Sequence, residues 1–272
     1  MKLFFFSFLL SIITIVSNGQ SFPIKQLAIL LDNDKGVPFY FDREINDIYI
    51  TGFDVDEKEN YYFLGGNEGS ILAVFNGSKQ IYRKVDKQLS EGASQIYLHN
   101  GKLYAFSRIS ETLFVLDASN GIILKTFAKF VHENLTGFRF FKGSLIAQIS
   151  YFNHEKYTLE GTFVKKIDNE YDLPPALAKI TKSKTFLGEW KGNFVCWAYD
   201  EKSNADIYYL VDKMGKTIMS KRIPYNIKIY GDVFAEEPDY HKVLRNESIY
   251  ILNRKGKSAL ITKIPLKTFF SS

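Results

Sequence analysis

The residues able to do chemistry are few and widely spaced. Four histidines, His99, His132, His154 and His241, show none of the paired spacing that brings two imidazoles to one metal, so neither a metal nor a cofactor is expected. Asp54-Val55-Asp56 followed by Asn60 superficially matches the start of a calcium loop, but the glycine for its sharp turn is missing. Gly65 stands where the bidentate acid belongs. A solvated strand-turn-strand explains the segment better. The single Cys196 lies in Phe194-Val195-Cys196-Trp197, which reads as a buried core thiol and excludes an intrachain disulfide. No Gly-x-Ser-x-Gly elbow, phosphate-binding glycine loop or His-Glu-x-x-His helix occurs, which disfavours the hydrolase and nucleotide chemistries that use them. For glycoside cleavage the least poor pair of acids is Glu236 or Glu237 with Asp200, beside Tyr199 or Tyr240 as a sugar platform. That chemistry needs the carboxyls about 5 to 9.5 Å apart. No catalytic residue is assigned.

What must position these groups is a repeat of roughly 40 to 54 residues running from Val55 onward. Its turns mark it, because Gly and Asn supply the positive backbone dihedral that two-residue hairpin loops demand. One series is Lys58-Glu59-Asn60, Asn100-Gly101, Lys142-Gly143, Lys191-Gly192 and Asn246-Glu247. Each divides two apolar, aromatic-rich runs, such as Ile96-Tyr97-Leu98-His99 and Leu103-Tyr104-Ala105-Phe106, which read as strands. A second series follows within each unit: Asn76-Gly77, Asp117 to Gly121, Glu160-Gly161 and Asp212 to Gly215. Each unit therefore holds four strands.

Four short strands at this period predict an all-β chain folded as a β-propeller, with a β-sandwich or barrel as the alternative. The last unit has room after Asn246 for only two more strands, near Ser248–Leu252 and Ser258–Ile264. The ring then closes if Pro23 to Leu31, with its run Leu27-Ala28-Ile29-Leu30-Leu31, supplies the missing outer strand. The count is five four-stranded blades, or six if Val37 to Phe41 and its neighbours form a degenerate one. Phe53-Asp54-Val55-Asp56 through Tyr61-Tyr62-Phe63-Leu64, and Leu113 to Leu124 with the turn Leu116-Asp117-Ala118-Ser119-Asn120-Gly121, resemble the secreted β-propellers of the broad NHL, YncE-like and six-bladed bacterial groups. The resemblance covers most of the chain as a pattern. It implies a fold and transfers no residue's function.

Met1-Lys2, the apolar run Leu3 to Val16 and the small residues Ser17-Asn18-Gly19 read as a signal peptide, residues 1–19, with cleavage after Gly19. The run is short of the ~20 residues that span a membrane, although an uncleaved anchor is the alternative. Residues 20–272 form one domain, exported to a periplasmic or extracellular space. Without disulfides its stability must come from packing, for which 24 Phe and 17 Tyr provide the area. The chain carries 35 Lys and Arg against 30 Asp and Glu, and loss of Lys2 leaves 34. Lys179, Lys182 and Lys184, and Arg254, Lys255 and Lys257, are read as solvated clusters, so no nucleic-acid partner is expected. Asn76, Asn134 and Asn246 begin glycosylation sequons that matter only in a eukaryotic secretory pathway.

In a propeller, the loops between second and third strands share one face with the connections between blades, and that face is the expected binding surface. It gathers Asn67 and Glu68, Arg108 and Glu111, Tyr151, Asn153 and His154, and Asp200 with Asn204. Two longer connections join it: Ile167 to Lys184, with Tyr171, Asp172 and Pro174-Pro175, and Ile223 to Tyr240, with Tyr230, Asp232, Glu236, Glu237, Asp239 and Tyr240. Trp190 and Trp197 are read as packing between sheets before serving any sugar. Three functions are compatible: a non-catalytic binder of an extracellular ligand or envelope protein, a glycoside hydrolase or lyase, and a structural subunit of an envelope assembly. An acid-lined central pocket favours the second and a flat apolar face the third.

Overall fold

Each aromatic-rich run pairs with the next across its turn, and the pairing builds five antiparallel sheets set in a ring. The computed structural model describes residues 11–17, 20–43, 47–66, 71–90, 93–107, 110–128, 137–150, 153–181, 183–224 and 241–271. Strands β1 (Ser11–Ser17) and β2 (Gln20–Leu30) open the chain, followed by the small pair β3 (Tyr40–Asp42) and β4 (Asp47–Tyr49). Blade one is β5 (Gly52–Val55), β6 (Asn60–Gly65), β7 (Ile71–Asn76) and β8 (Lys79–Val85). Blade two is β9 (Ala93–His99), β10 (Lys102–Ser107), β11 (Thr112–Asp117) and β12 (Ile123–Ala128). Blade three is β13 (Gly137–Phe141), β14 (Ser144–Ser150), β15 (Asn153–Thr158) and β16 (Phe163–Ile167). The helix α1 (Pro175–Thr181) precedes blade four, which is β17 (Thr185–Trp190), β18 (Asn193–Asp200), β19 (Ala205–Val211) and β20 (Thr217–Pro224). Blade five is β21 (Lys242–Arg245), β22 (Ser248–Lys255) and β23 (Ser258–Pro265), with the helix α2 (Leu266–Ser271) after it.

The fourth strand of blade five is β2, which pairs antiparallel with β23 from Lys25 opposite Lys263 to Leu30 opposite Ser258. The ring is thus closed by an N-terminal strand, and the blade count is five. The segment around Val37 to Phe41 does not make a sixth blade: Val37 bridges Leu31, and Tyr40–Asp42 pairs only with Asp47–Tyr49. Strand β1 pairs with the outer edge of β2, so it lies outside the four strands that define the blade.

The hairpin turns follow the backbone chemistry of their residues. Both central residues have positive φ at Asn100 and Gly101 (50° and 71°), Lys142 and Gly143 (45° and 68°), and Lys191 and Gly192 (49° and 75°). Asn246 and Glu247 repeat this at 49° and 53°, which is the twist that a two-residue turn between right-twisted strands requires. Glu247 carries a Cβ in a left-handed conformation that costs about 1–2 kcal/mol, of which glycine's extra chain entropy returns roughly half. Glu247→Gly is expected to raise unfolding stability by about 0.5–1 kcal/mol in a urea titration. A loss of stability would show that the Glu247 side chain contributes contacts that outweigh its backbone cost.

The core is a set of layers between neighbouring blades. Phe106, Val115 and Leu113 of blade two meet Phe138, Leu145 and Tyr157 of blade three, all buried. Between blades four and five, Trp190, Trp197 and Tyr208 pack with Ile249, Ile251 and the α2 residues Phe269 and Phe270. Both tryptophans are therefore core residues, at 9% and 6% exposure. Cys196 is buried between blades three and four, and burial pushes its thiol up to about 11, far from a reactive thiolate.

Candidate functional site

The inner strands β5, β9, β13, β17 and β21 converge on a cavity of about 450 Å³ at the ring axis. Because each inner strand runs from a between-blade connection to its hairpin, residues early in the strand sit toward the expected binding face.

Toward the hairpin end the cavity is closed by an ion pair. Asp54, 1% exposed, accepts two bonds from Arg245, Nε to Oδ1 at 2.9 Å and Nη2 to Oδ2 at 2.7 Å. The backbone N–H groups of Val55 and Leu98 also donate to it, at 2.8 and 2.7 Å, so the carboxylate is fully engaged. Burial is the largest single influence on the Arg245 pKa and lowers it, but the Asp54 charge and hydrogen bonds together with Tyr97 outweigh it and the net direction is upward. The Arg245 guanidinium lies 5.0 Å over the ring of Tyr97, which stacks on Phe140 at 5.4 Å. The Asp54 segment is therefore not the solvated strand-turn-strand that its sequence suggests. Asp56 does serve its turn, accepting from the Lys58 and Asn60 backbone N–H groups at 2.8 Å each.

Toward the opposite end the lining is rich in hydrogen-bond donors. Lys242, 8% exposed, places its ammonium 3.6 Å from the centroid of the Trp197 ring. Arg139 lies over the Tyr171 ring at 4.4 Å, donates to the Tyr171 hydroxyl and pairs with Glu170 at 3.0 Å. Gln95 completes the set. It is the extra residue of a β-bulge, since Ser94 opposes Phe106 and Ile96 opposes Ala105. Its φ is 57° and its N–H donates to the Thr51 carbonyl at 3.0 Å. The bulge re-aims its side chain, which lines the cavity at 7% residue exposure. Among the described residues its Nε2 has no hydrogen-bond partner.

The connection after blade three positions Tyr171. Asn169 Oδ1 accepts from the N–H groups of Tyr171 and Leu173, at 3.2 and 2.9 Å. Asp172 pairs with Lys156 and Lys165, each at 2.8 Å, tying the loop to strands β15 and β16. A second cavity of about 430 Å³ shares Arg139, Tyr171 and Thr185 with the first and extends it past Trp197 to Tyr199.

Of the described residues expected at the binding face, Tyr171 lines the axial cavity, whereas Glu111, Asn153, His154, Asp172, Asp200 and Asn204 do not. Glu111, with φ 50°, lies in the second-to-third-strand turn of blade two, and Asn153 is exposed at the start of β15. His154 is 5% exposed, with neither ring nitrogen hydrogen-bonded among the described residues. Burial lowers its pKa, with Glu170 acting against that shift and Arg139 adding to it. Asp200 caps the turn Glu201–Ser203, and the Ser203 hydroxyl bond leads in holding its carboxyl below the usual range. Asn204, with φ 44°, accepts from the Tyr199 hydroxyl at 2.7 Å. Asn67, Glu68, Arg108, Tyr151, Tyr230, Asp232, Glu236, Glu237, Asp239 and Tyr240 lie outside the described residues.

The axial residues Gln95, Arg139, Lys242 and Arg245 were not singled out by sequence reasoning. A signal was present: each is a polar side chain within or beside an otherwise apolar inner-strand run, as in Phe138-Arg139-Phe140-Phe141.

His241, next to Lys242, is buried and hydrogen-bonded to the Ile50 carbonyl at 2.9 Å, so its Nε2 donates. Burial lowers its pKa to about 4 and the Lys242 charge adds to the shift, with the Ile50 bond opposing it. Against ~6.5 in the unfolded chain, the folded state resists protonation. Stability from this group is complete above pH ~6.5 and is lost as the pH falls to about 4, a total of ~3 kcal/mol. His154 acts in the same direction. Urea titrations at pH 7, 5 and 4 check this, with His241→Gln expected to flatten the slope. An equally steep slope in that variant would place the acid sensitivity elsewhere.

The sequence matches no protein-family model and none of the curated proteins. Among solved structures the chain is similar to BamB from Moraxella catarrhalis, at 9% identity over 94% of this chain and 99% of that one, with a TM-score of 0.44. It is also similar to glutaminyl cyclase from Myxococcus xanthus, at 12% identity over 88% and 97%, TM-score 0.49. Virginiamycin B lyase from Staphylococcus aureus is a third, at 12% over 90% and 76%, TM-score 0.39. Overlays this loose carry no argument about the site, and the five-bladed ring rests on the strand pairing itself. Among the described residues no helix is long and apolar enough to cross a membrane.

Proposed function

We propose that this chain is an exported, non-catalytic propeller that recognises an extracellular ligand or envelope protein through the mouth of its axial cavity and the loops around it. The observation that carries this reading is the character of the cavity. It has the size of a ligand pocket, with aromatic walls and several donors, and among the described residues its one carboxylate, Asp54, is engaged by Arg245 and two backbone amides. Such a lining binds and orients but offers no free acid and base pair.

Cleavage of carbohydrate is less well supported, because Asp200 caps a turn and does not line the axial cavity. An assembly subunit is also less well supported. Exposed apolar residues such as Val85, Leu124, Phe163 and Ile218 are distributed over the outer strands of four blades, beside Lys84, Lys125 and Lys165, and do not form one flat face. In this reading residues 1–19 direct export and are removed, and kinship with NHL or YncE-like propellers rests on the turn pattern alone.

The test is a thermal-shift screen of the purified protein against oligosaccharides, divalent metals and peptides, since a ligand of the folded state raises the midpoint by mass action. A hit is expected to weaken in Tyr199→Ala, beside the cavity, and to persist in Lys191→Ala, on the hairpin face. Equal loss in both variants would remove the face assignment. Turnover of a saccharide hit, lost in Asp200→Asn, would replace binding with hydrolysis.

A further inference from the structure

Among the described residues, blade five is the one blade with a fifth strand, and that strand falls within the segment read as a signal peptide. β1 pairs with the outer edge of β2 without a register shift, from Ser11 opposite Gln26 to Ser17 opposite Gln20. The outer strands of the other blades are blunted as edges. Each of β8, β12, β16 and β20 is bulged against its neighbour, and basic residues such as Lys84, Lys125, Lys165 and Arg222 lie along them. By contrast β2 has no bulge against β1 or β23, and Lys25 is the one charge in its 11 residues. Its backbone shows which groups face outward. Leu31 donates its N–H to the Lys257 carbonyl beside β23 at 2.9 Å, while Leu30 accepts from Val37 on the opposite side at 2.8 Å. Backbone groups alternate between the two edges along a strand, so Gln20, Phe22 and Ile24 turn N–H and C=O toward β1. Pro23 turns the other way, beyond the Lys25–Leu30 ladder with β23, and its missing N–H takes nothing from the outer edge.

We infer that removal of residues 1–19 makes this edge a docking site for an extended segment of a partner protein, which adds to blade five in the place of β1. This rests on the export reading, in which those residues are cleaved. β1 shows what fits: Ile12, Ile13, Thr14, Ile15 and Val16 are β-branched and uncharged. In such strand addition main-chain bonds supply affinity and side chains supply selectivity. At one position an acid suits the edge better. Lys25 is exposed and stands directly opposite Ile12, so a carboxylate there gains a cross-strand ion pair.

The probe is a synthetic peptide of residues 11–17, made soluble by a C-terminal Lys-Lys tail and titrated calorimetrically into chains 20–272 and 1–272. Binding to the shorter chain is expected to be at least about tenfold tighter, because β1 covers the edge in the longer one. In the peptide, N-methylation of Ile13 and Ile15 blocks groups that face Ile24 and Phe22 and should abolish binding. N-methylation of Ile12 and Thr14, whose groups face away, should leave affinity within about threefold. Ile12→Glu in the peptide should tighten binding about two- to fivefold. Equal binding to both chains, equal effects of the two methylated peptides, or a weaker Ile12→Glu peptide overturns the inference. So does a concentration-dependent dimer of chain 20–272 that the peptide dissociates, which gives the edge to a second copy. The intact mass of the exported protein separates this inference from the reading beneath it. Retention of residues 11–17 refutes their removal and the docking edge with it, whereas a failed titration on a processed chain leaves recognition through the axial cavity standing.

Discussion

Deleting residues 1–31 should abolish the cooperative fold, whereas deleting residues 1–19 should preserve it. The difference lies in β2. Ile24, Leu27, Ile29 and Leu31 are each at most 9% exposed, and they belong to the layers that join blade five to blades four and one. At about 1.5–3 kcal/mol for each buried side chain, β2 with Leu31 just after it contributes roughly 6–12 kcal/mol, against a typical total stability of about 5–15 kcal/mol. Gln26 adds a buried bond to Thr262 at 3.1 Å, and Arg83 of blade one holds the chain beyond β2 through the Gly36 and Asp32 carbonyls at 2.8 and 3.1 Å. Without β2, the outer edge of β23 is unpaired and prone to aggregation. Loss of residues 1–19 removes β1, which among the described residues pairs with the far edge of β2 and lies beside β20. Circular dichroism melts of chains 20–272 and 32–272 decide the matter. A cooperative transition of the shorter chain within a few degrees of the longer one would mean that the ring closes without its N-terminal strand.

Arg245→Met should cost about 3–5 kcal/mol, because it leaves the Asp54 carboxylate buried without its counter-charge. The reverse change, Asp54→Asn, should cost less. The Arg245 side chain is 27% exposed and lies over Tyr97, so its charge keeps partial access to water, while Asp54 at 1% has none. The pair also locks blade five to blade one where the chain closes on itself, in company with the Asn246 side-chain amide, which donates to the Asp56 carbonyl at 2.7 Å. The double variant Asp54→Asn with Arg245→Met should be more stable than the sum of the two single changes predicts, since it removes both charges together. Urea unfolding of the three variants provides the cycle. A cost below about 1 kcal/mol for Arg245→Met would mean that water or another cation replaces the guanidinium.

These two results concern features of very different legibility. Leu27-Ala28-Ile29-Leu30-Leu31 shows itself as a strand in search of a sheet, and the incomplete last repeat shows which sheet needs it. The arginine that neutralises Asp54 stands 191 residues away, and no local pattern joins them.

The sequence by itself determined the repeat, the four strands per unit, the turn positions and the closing strand. Those features are local, because a positive φ at Asn100-Gly101 or Lys142-Gly143 depends on the residue and its immediate neighbours. It also marked the long connection whose Tyr171 reaches the axis. The tertiary structure alone decided the content of the cavity. Gln95, Arg139, Lys242 and Arg245 come from three different blades, and only closure of the ring brings their side chains to one axis. The bulge that re-aims Gln95 arises where its neighbours Ser94 and Ile96 pair with Phe106 and Ala105 across the hairpin, and the burial of Asp54 arises from blade five packing beside blade one. Convergence of distant strands is set by packing, and packing leaves no short-range mark in the chain.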